Sequence, residues 1–249
     1  MSIEHPSDLA GMRRAGRLVA ETIAAMRAAV RPGVTTAALD AIAGKVLARA
    51  GGRSAPKLVY RFPGVTCISV NDEAVHGVPG ARVLLEGDLV TLDVTAELDG
   101  YMADAAVTVP VGRVSTVAAN LIAAAEGAFQ AAIAAAMPGA PLRDIGRVVE
   151  AHVERAGFKV LRELCGHGIG RTIHEPPNVV NYDDPRATGR LTDGLVITIE
   201  PIISAATRRT RTSASEWPVR SADGSLTAHH EHTIVVRPGG CEILTTLAA

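Results

Sequence analysis

The chain has few cysteines, and their spacing excludes two kinds of site. Its three cysteines, Cys67, Cys165 and Cys241, lie far apart and form no Cys-x-x-Cys pair. A zinc knuckle or a disulfide framework needs closer or paired cysteines. Reduced thiols are typical of cytoplasmic proteins. We therefore expect a cytoplasmic protein without structural disulfides.

A surplus of charge of either sign is also lacking. Lys and Arg number 25 against 26 Asp and Glu, the formal net charge is -1, and no run of basic residues occurs. This balance offers no attraction to nucleic acid or to an anionic membrane, and we expect neither as a partner.

Long apolar segments of the kind that enter membranes are missing. The first sixteen residues, MSIEHPSDLAGMRRAG, contain no apolar core, so we expect no secretory signal. The most apolar stretch, residues 121–137, is interrupted by Glu126 and Gln130. It therefore indicates a buried, Ala-rich helix and not a membrane span.

The 249 residues, 47% of them hydrophobic, can build a sizeable core in one or two domains. An internal repeat organises them. Pro32-Gly33 recurs as Pro138-Gly139, and Arg49-Ala50-Gly51 recurs at the same offset as Arg155-Ala156-Gly157. The apolar residues between these pairs have helical spacing in both copies. The repeat predicts two similar halves.

Each half, about residues 7–110 and 115–240 of a single domain over 1–249, should begin with a helix, a Pro-Gly turn and a second helix. We predict long first helices over 7–30 and 115–137, with Ser7 and Ser115 as N-caps. Strands are predicted over 66–70, 88–97, 101–109, 159–163, 195–200 and 227–237. Helix pairs followed by strands favour an α+β domain whose helices cover one face of a mostly antiparallel sheet.

Two aspartates lie on neighbouring predicted strands. Asp93 interrupts an apolar run, and Asp104 follows the Asp99-Gly100 hairpin signal. If Asp99-Gly100 is the loop, the two aspartates are diagonal neighbours on one face; if the loop is Leu98-Asp99, they are directly opposite. Adjacent buried carboxylates repel each other and are costly to desolvate. A divalent cation would relieve both problems, and pairing with arginine or the backbone is the alternative.

The second half supplies further candidate ligands. His167 is enclosed by glycines in a predicted loop, so other groups can approach it closely. Glu200 ends an apolar strand directly before a proline. Strand alternation places His229 and Glu231 on one face, with His230 and His232 on the other. Asp93, Asp104, Glu200, Glu231 and His167 form an oxygen-rich set that suits two divalent ions.

Several motifs, in this order and spacing, resemble those of type I methionine aminopeptidases. They are residues 71–79 (NDEAVHGVP), 92–94 (LDV), Asp104, 166–170 (GHGIG), 174–175 (HE), 199–201 (IEP) and 231–234 (EHTI). The resemblance extends over about residues 9–244. It implies the pita-bread fold, an α+β architecture with pseudo-two-fold symmetry.

The resemblance also implies a function. It predicts a hydrolase, a metal-dependent aminopeptidase that removes the initiator methionine from nascent proteins and from peptides with a small second residue. The reaction would use a hydroxide that bridges two divalent ions, which could be Mn, Fe, Co or Zn. The implied ligands are Asp93, Asp104, His167, Glu200 and Glu231, with Asp104 and Glu231 bridging both ions. A monomer that associates transiently with the ribosome is implied as well.

Substrate-contacting roles follow from the same resemblance. His76 would lie beside the scissile amide nitrogen or the substrate amine, and His174 beside the scissile carbonyl. Glu200 would shuttle the proton as general base and acid. Phe62, Cys67 and Trp217 would contact the methionine side chain.

The chain departs from the family pattern at a few positions. Ala105 follows Asp104 where the family usually has Ser or Thr, which predicts a lost hydrogen bond and weaker metal affinity. Ile173 precedes His174 where an aromatic residue is common, and His229 stands where Gln is common. All five implied ligands are retained.

Three other assignments compete with this prediction. Proline-specific exopeptidases share the fold and the ligands but usually carry a large additional N-terminal domain. Type II enzymes have a long helical insert between the last two glutamate ligands, whereas Glu200 and Glu231 are close in this sequence. A binding protein of the same fold, without enzymatic activity, would typically have lost ligands.

Overall fold

A computed structural model describes residues 1–213 and 216–247; positions 214, 215, 248 and 249 of the expected 1–249 domain lie outside the described residues. The helices of this part are α1 (Pro6–Ala29), α2 (Thr36–Arg49), α3 (Ala55–Tyr60), α4 (Thr116–Ala135) and α5 (Arg143–Arg155). Both predicted helix pairs are confirmed. The short helix α3 was not predicted.

The strands of the described residues are mostly short. They are β1 (Arg53–Ser54), β2 (Cys67–Val70), β3 (Glu73–Val75), β4 (Leu89–Leu98), β5 (Tyr101–Pro110), β6 (Lys159–Val160), β7 (Cys165–Gly168), β8 (Glu175–Val180), β9 (Val196–Ile199), β10 (Ile202–Ser204), β11 (Thr210–Arg211), β12 (Val219–Ser221), β13 (Thr227–Arg237) and β14 (Gly240–Ile243). The prediction for 227–237 matches β13, whereas the strand predicted over 159–163 ends already at Val160 and turns at Leu164, which donates its N–H to the Leu161 carbonyl.

One large sheet carries the order β1-β4-β5-β13-β9-β7-β8, with β2, β6, β10 and β14 attached to it. A second sheet is formed by β11, β12 and β3. The strand pairings within the described residues are antiparallel. The predicted α+β architecture is therefore confirmed.

The ends of the two long helices differ from the prediction. Ser115 caps α4 as expected, because its hydroxyl accepts a hydrogen bond from the Ala118 N–H. Ser7 is not a cap: α1 begins one residue earlier, at Pro6, and the Asp8 carboxylate accepts from the backbone N–H groups of Glu4 and His5. Helix α4 ends at Ala135, two residues before the predicted end, because the residue preceding Pro138 is biased away from helical angles.

The helices cover one face of the sheet and leave the other face for the polar residues. Side chains of β4 and β5 such as Leu92, Val94 and Ala103 pack into a core under α1 and α2. A second core joins α4 and α5 to β9 and β13 through residues such as Phe129 and Ile234. Because side chains alternate along a strand, Asp93 and Asp104 point away from the helices.

Within the described residues, α4 is the helix whose length and composition would allow it to cross a membrane. Leu121, Phe129 and the other buried residues of α4 belong to the second core. The helix is therefore packed as an interior helix of the fold, as its sequence predicted.

Candidate metal centre

The polar residues of the concave face come from five strands that are consecutive in the sheet. Asp93 lies in β4, Asp104 in β5, Glu231 in β13, Glu200 directly after β9, and His167 in β7. All five line one cavity of about 600 Å³. The structure thus brings together the residues that the sequence singled out as metal ligands.

The hairpin between β4 and β5 decides between the two registers considered above. Leu98 pairs with Tyr101, so Asp99-Gly100 is the loop and Asp93 lies opposite Ala106. On the other side of β5, Ala106 is also the partner of Glu231. Asp104, two residues from Ala106, shares its face. Three carboxylates therefore surround one small alanine side chain.

His167 lies in a strand and not in the predicted loop. The glycines around it allow β7 to approach its neighbours closely: a Cβ on Gly166 would lie 2.6 Å from the Thr198 carbonyl oxygen, and one on Gly168 2.3 Å from that of Pro176. The Thr198 hydroxyl links two of the candidate ligands, because it accepts from the His167 backbone N–H at 3.0 Å and donates to Glu200 Oε1 at 2.7 Å.

Burial and mutual repulsion raise the pKa values of the acids in this cavity. Burial raises the pKa of Asp104 to about 6. Burial, reinforced by the charge of Asp104, raises the pKa of Glu200 to about 8. The pKa values of Asp93 and Glu231 are raised well above their ordinary range by burial and then by neighbouring carboxylates. Burial also lowers the pKa of His167 to about 4, so its ring is neutral and can act as a ligand.

The donor set fits divalent metal ions. Asp104 Oδ1 and Glu231 Oε1 are buried without a hydrogen-bond partner, although buried polar atoms are nearly always paired. Ligand atoms of Asp104, His167 and Glu231 lie within 4.8 Å of one another, and so do those of Glu200, His229 and Glu231. A positive ion between them would pair the orphaned oxygens and remove the repulsion.

Two histidines stand at the rim of the cavity. His76 has a left-handed backbone with φ of 60° and follows β3. The next residue, Gly77, fixes it in place, because its N–H donates to Ser69 Oγ and its carbonyl accepts from the Ile68 N–H. His174 precedes β8, and its ring centroid lies 4.2 Å from that of His167. Burial lowers the pKa of both rim histidines, which keeps their rings neutral.

A smaller cavity of about 220 Å³ adjoins the acidic one and is mostly apolar. Phe62, Cys67 and Trp217, which the resemblance placed near the substrate side chain, all line it. The rings of Phe62 and Trp217 meet edge to face at 5.2 Å between centroids. Asp93, Asp104, His76 and His174 border both cavities. The apolar cavity therefore opens directly onto the acidic group.

Residues 10–238 match the family described as metallopeptidase family M24. The chain belongs to metallopeptidase family M24.

Individual M24 relatives cover nearly the whole chain. It is 40% identical over 240 residues to methionine aminopeptidase 1 of Bacillus subtilis, which covers 96% of this chain and 97% of that protein. The crystal structure of methionine aminopeptidase from Thermotoga maritima superposes with a TM-score of 0.96 at 35% identity, covering 99% of this chain and all of that one. Prolidase from Pyrococcus furiosus, at 21% identity and a TM-score of 0.79, shares the fold.

The positions that depart from the M24 pattern have clear structural surroundings. Ala105 packs into the first core, and Thr95 of β4 hydrogen-bonds the Asp104 carboxylate from the neighbouring strand. Ile173 is buried and lines the apolar cavity. His229 lies beside Glu231 on the face of the acidic cavity, whereas His230 and His232 contact Phe129 on the helix side, as strand alternation predicted.

Sequence reasoning missed two contributors to this M24 site. Tyr60, at the end of the unpredicted helix α3, places its hydroxyl 2.5 Å from His174 Nδ1. Thr198, described above, orients Glu200. Tyr60 carries no local signal, since only tertiary contact brings it to His174. Thr198 could have been found, because it alternates with the apolar residues of β9 and shares the face of Glu200.

Proposed function

We propose that this chain is a methionine aminopeptidase, which hydrolyses the first peptide bond of peptides that begin with methionine followed by a small residue. The observation that carries the proposal is the junction of two cavities. One contains the five candidate ligands, which are four carboxylates and the imidazole of His167, and the other is an apolar cavity beside it. The similarity to enzymes of that name over almost the whole chain supports it.

Divalent metal follows from membership of a metallopeptidase family. We propose that two divalent ions bind here and that each is Mn, Fe, Co or Zn. Their ligands would be Asp93, Asp104, His167, Glu200 and Glu231. Glu231 would bridge them, which is supported by its presence in both clusters of ligand atoms; Asp104 would be the second bridge. When bound, such ions act as Lewis acids and lower the pKa of the attacking water.

The protein residues bind the substrate and move its protons. Phe62, Cys67 and Trp217 would enclose the methionine side chain, since apolar and aromatic walls are typical of small-ligand pockets. His76, at the border of both cavities, would contact the substrate amine or the scissile amide nitrogen. The free α-amine of the substrate would reach the metal centre, which would restrict the enzyme to exopeptidase action.

His174 and Glu200 would serve the chemical step. The Tyr60 hydroxyl fixes the His174 ring at Nδ1, which leaves Nε2 to donate to the oxyanion that develops on the scissile carbonyl. Glu200 would take a proton from the attacking water and deliver it to the leaving amine. The Thr198 hydroxyl holds the Glu200 carboxylate in place for both transfers.

The whole chain would act as one catalytic domain with pseudo-symmetric halves. We further propose a monomer that works in the cytoplasm and meets nascent chains during transient contact with the ribosome. The free cysteines Cys67, Cys165 and Cys241 support a reducing compartment.

The proposal is tested with metal-free protein and two tripeptides, Met-Ala-Ser and Ala-Pro-Ala, with Mn, Co, Fe or Zn added separately. We expect metal-dependent release of methionine from the first peptide and no cleavage of the second. Cleavage before proline would instead assign the chain to the proline-specific relatives. Glu200→Ala should abolish release, whereas Glu242→Ala, which removes a surface ion pair with Arg13, should retain it.

A further inference from the structure

His229 carries a buried imidazole to which the five-ligand set assigns no role. It lies on β13, two residues before Glu231 and on the same face. Only 2% of it is exposed, and neither ring nitrogen has a hydrogen-bond partner. Buried polar groups without partners are rare and cost free energy. The ring therefore needs a partner that the surrounding protein does not provide.

Two carboxylate oxygens lie close to Nε2 of this ring. His229 Nε2 lies 3.4 Å from Glu231 Oε2 and 3.9 Å from Glu200 Oε2. Both separations exceed the donor–acceptor distance of a normal hydrogen bond. Two atoms that bind the same ion at about 2.0–2.2 Å lie roughly 3.0–3.5 Å apart. The 3.4 Å separation from Glu231 Oε2 therefore fits two atoms that bind the same ion, whereas Glu200 Oε2 lies slightly farther away, at 3.9 Å.

The arrangement is mirrored on the other side of Glu200. His167 Nε2 approaches Glu200 Oε1 at 3.6 Å, and His229 Nε2 approaches Oε2. Each imidazole belongs to a separate cluster of three ligand atoms, and Glu231 is common to both clusters. Two ions would then each have one histidine.

We propose that His229, through Nε2, is an additional ligand of the ion held by Glu200 and Glu231. This inference rests on the proposed metal-dependent function. The centre would then have two imidazole ligands, His167 and His229. The family pattern has the same first imidazole but a glutamine at the position of His229. Imidazole suits Zn, whereas Mn and Mg favour oxygen. The chain should therefore prefer Zn over Mn more strongly than a variant with the family's glutamine.

The direct test counts imidazoles around the metal. The natural protein, His229→Gln and His230→Gln are each loaded with two equivalents of Zn²⁺ and measured by X-ray absorption. We expect an average of one imidazole per zinc in the natural protein and half that number in His229→Gln. His230→Gln is the matched control, since it makes the same change on the same strand but on the side facing Phe129; its count should not change.

A second readout is metal affinity. Titration of the metal-free proteins with Zn²⁺ alone and with Mn²⁺ alone should show zinc binding weakened about tenfold or more in His229→Gln, by comparison with outer-shell changes of that size. Manganese binding should weaken less, so the preference for zinc falls. If Gln does not permit folding, as judged by circular dichroism, His229→Asn is measured in its place.

The outcomes separate this inference from the proposed function. An equal imidazole count in the natural protein and His229→Gln would overturn the ligand assignment, even if methionine is released. A reduced count together with no methionine release in the natural protein would support the ligand and contradict the peptidase. Failure of the natural protein to bind Zn²⁺ or Mn²⁺ would overturn both.

Discussion

Ala106 lies between two carboxylates, opposite Asp93 on one neighbouring strand and opposite Glu231 on the other. Its methyl group leaves the space above β5 open, so the acids on both sides can point toward each other. It is only 2% exposed, and a larger side chain would occupy the position in which the ligand atoms meet. A small residue is thus as necessary to this site as the charged ones.

Gly77 is a second small residue whose size can be tested. A Cβ at this position would lie 2.2 Å from the Ile68 carbonyl oxygen, which is backbone and cannot easily move. We expect Gly77→Ala to lower the free energy of unfolding by about 1–3 kcal/mol, as overpacking does, and to displace His76. Chemical denaturation and KM would report the two effects.

Gly80→Ala provides the matched control in the same segment, because a Cβ there meets nothing within 4 Å. Its stability should change by no more than about 0.5 kcal/mol. Equal losses for both variants would mean that the crowding at Gly77 does not constrain the segment.

His174 is expected to act on the transition state more than on the bound substrate. Replacing it with Ala removes the proposed donor to the oxyanion, so kcat should fall by about 10²–10³ while KM changes little. Tyr60→Phe, which removes the partner of Nδ1, should lower kcat by less. Tyr182→Phe, whose hydroxyl lies 3.4 Å from Asp184, is the control. A large rise in KM at constant kcat in His174→Ala would assign this histidine to substrate binding.

Single elements show how similar sequence signals lead to different structures. Ser7 and Ser115 both precede a long helical pattern, and both were predicted as caps. Only Ser115 precedes its helix, whereas Ser7 lies exposed within the first turn of α1. The difference arises because Pro6 is well suited to the first helical position and Asp8 satisfies the N–H groups before it.

This difference predicts unequal effects of the same substitution. Ser115→Ala should destabilise the protein by about 0.5–2 kcal/mol through loss of the cap. Ser7→Ala should be neutral within about 0.5 kcal/mol, because an exposed alanine suits a helix. Thermal unfolding of both variants provides the measurement. A larger loss in Ser7→Ala than in Ser115→Ala would contradict the assignment of the caps.

At the scale of the whole molecule, a cluster of four acids on one face, three of them buried, makes the metal-free protein sensitive to pH. The pKa of Glu200 is raised from 4.5 to about 8. Between those values the folded chain retains a proton that the unfolded chain has released, so stability falls as pH rises. The buried histidines make stability rise with pH, but only below about pH 6.5. The pKa of His167 is lowered from 6.5 to about 4, and that of His229 from 6.5 to about 3.

The pH range in which the acids alone determine the change in stability therefore lies above the ordinary pKa of histidine. We expect the melting temperature of EDTA-treated protein to decrease from about pH 6.5 to about pH 8, because the acids must ionise while buried. Protein loaded with divalent metal should lack this decrease, since the cations favour the charged carboxylates. A melting temperature that rises across this window without metal would show that the acids are not buried together.

Much of the architecture could be predicted from local patterns. The Pro-Gly turns marked the ends of both first helices, and the Asp99-Gly100 signal placed the hairpin between β4 and β5. These features depend on backbone preferences of a few adjacent residues. Helix α3 and the position of His167 in β7 were not predicted, because their backbone conformations depend on contacts with distant strands.

The sequence by itself determined which residues are candidates for the chemistry: charged side chains within apolar strands, a histidine among glycines, and motifs that resemble a known peptidase family. Only the tertiary structure decided how they meet. The order of five strands places Asp93, Asp104, Glu231, Glu200 and His167 side by side, together with His229 of β13. The packing of α3 against β4 brings Tyr60 to His174. The physical reason is that strand order and register are set by packing between distant segments, which no local pattern contains.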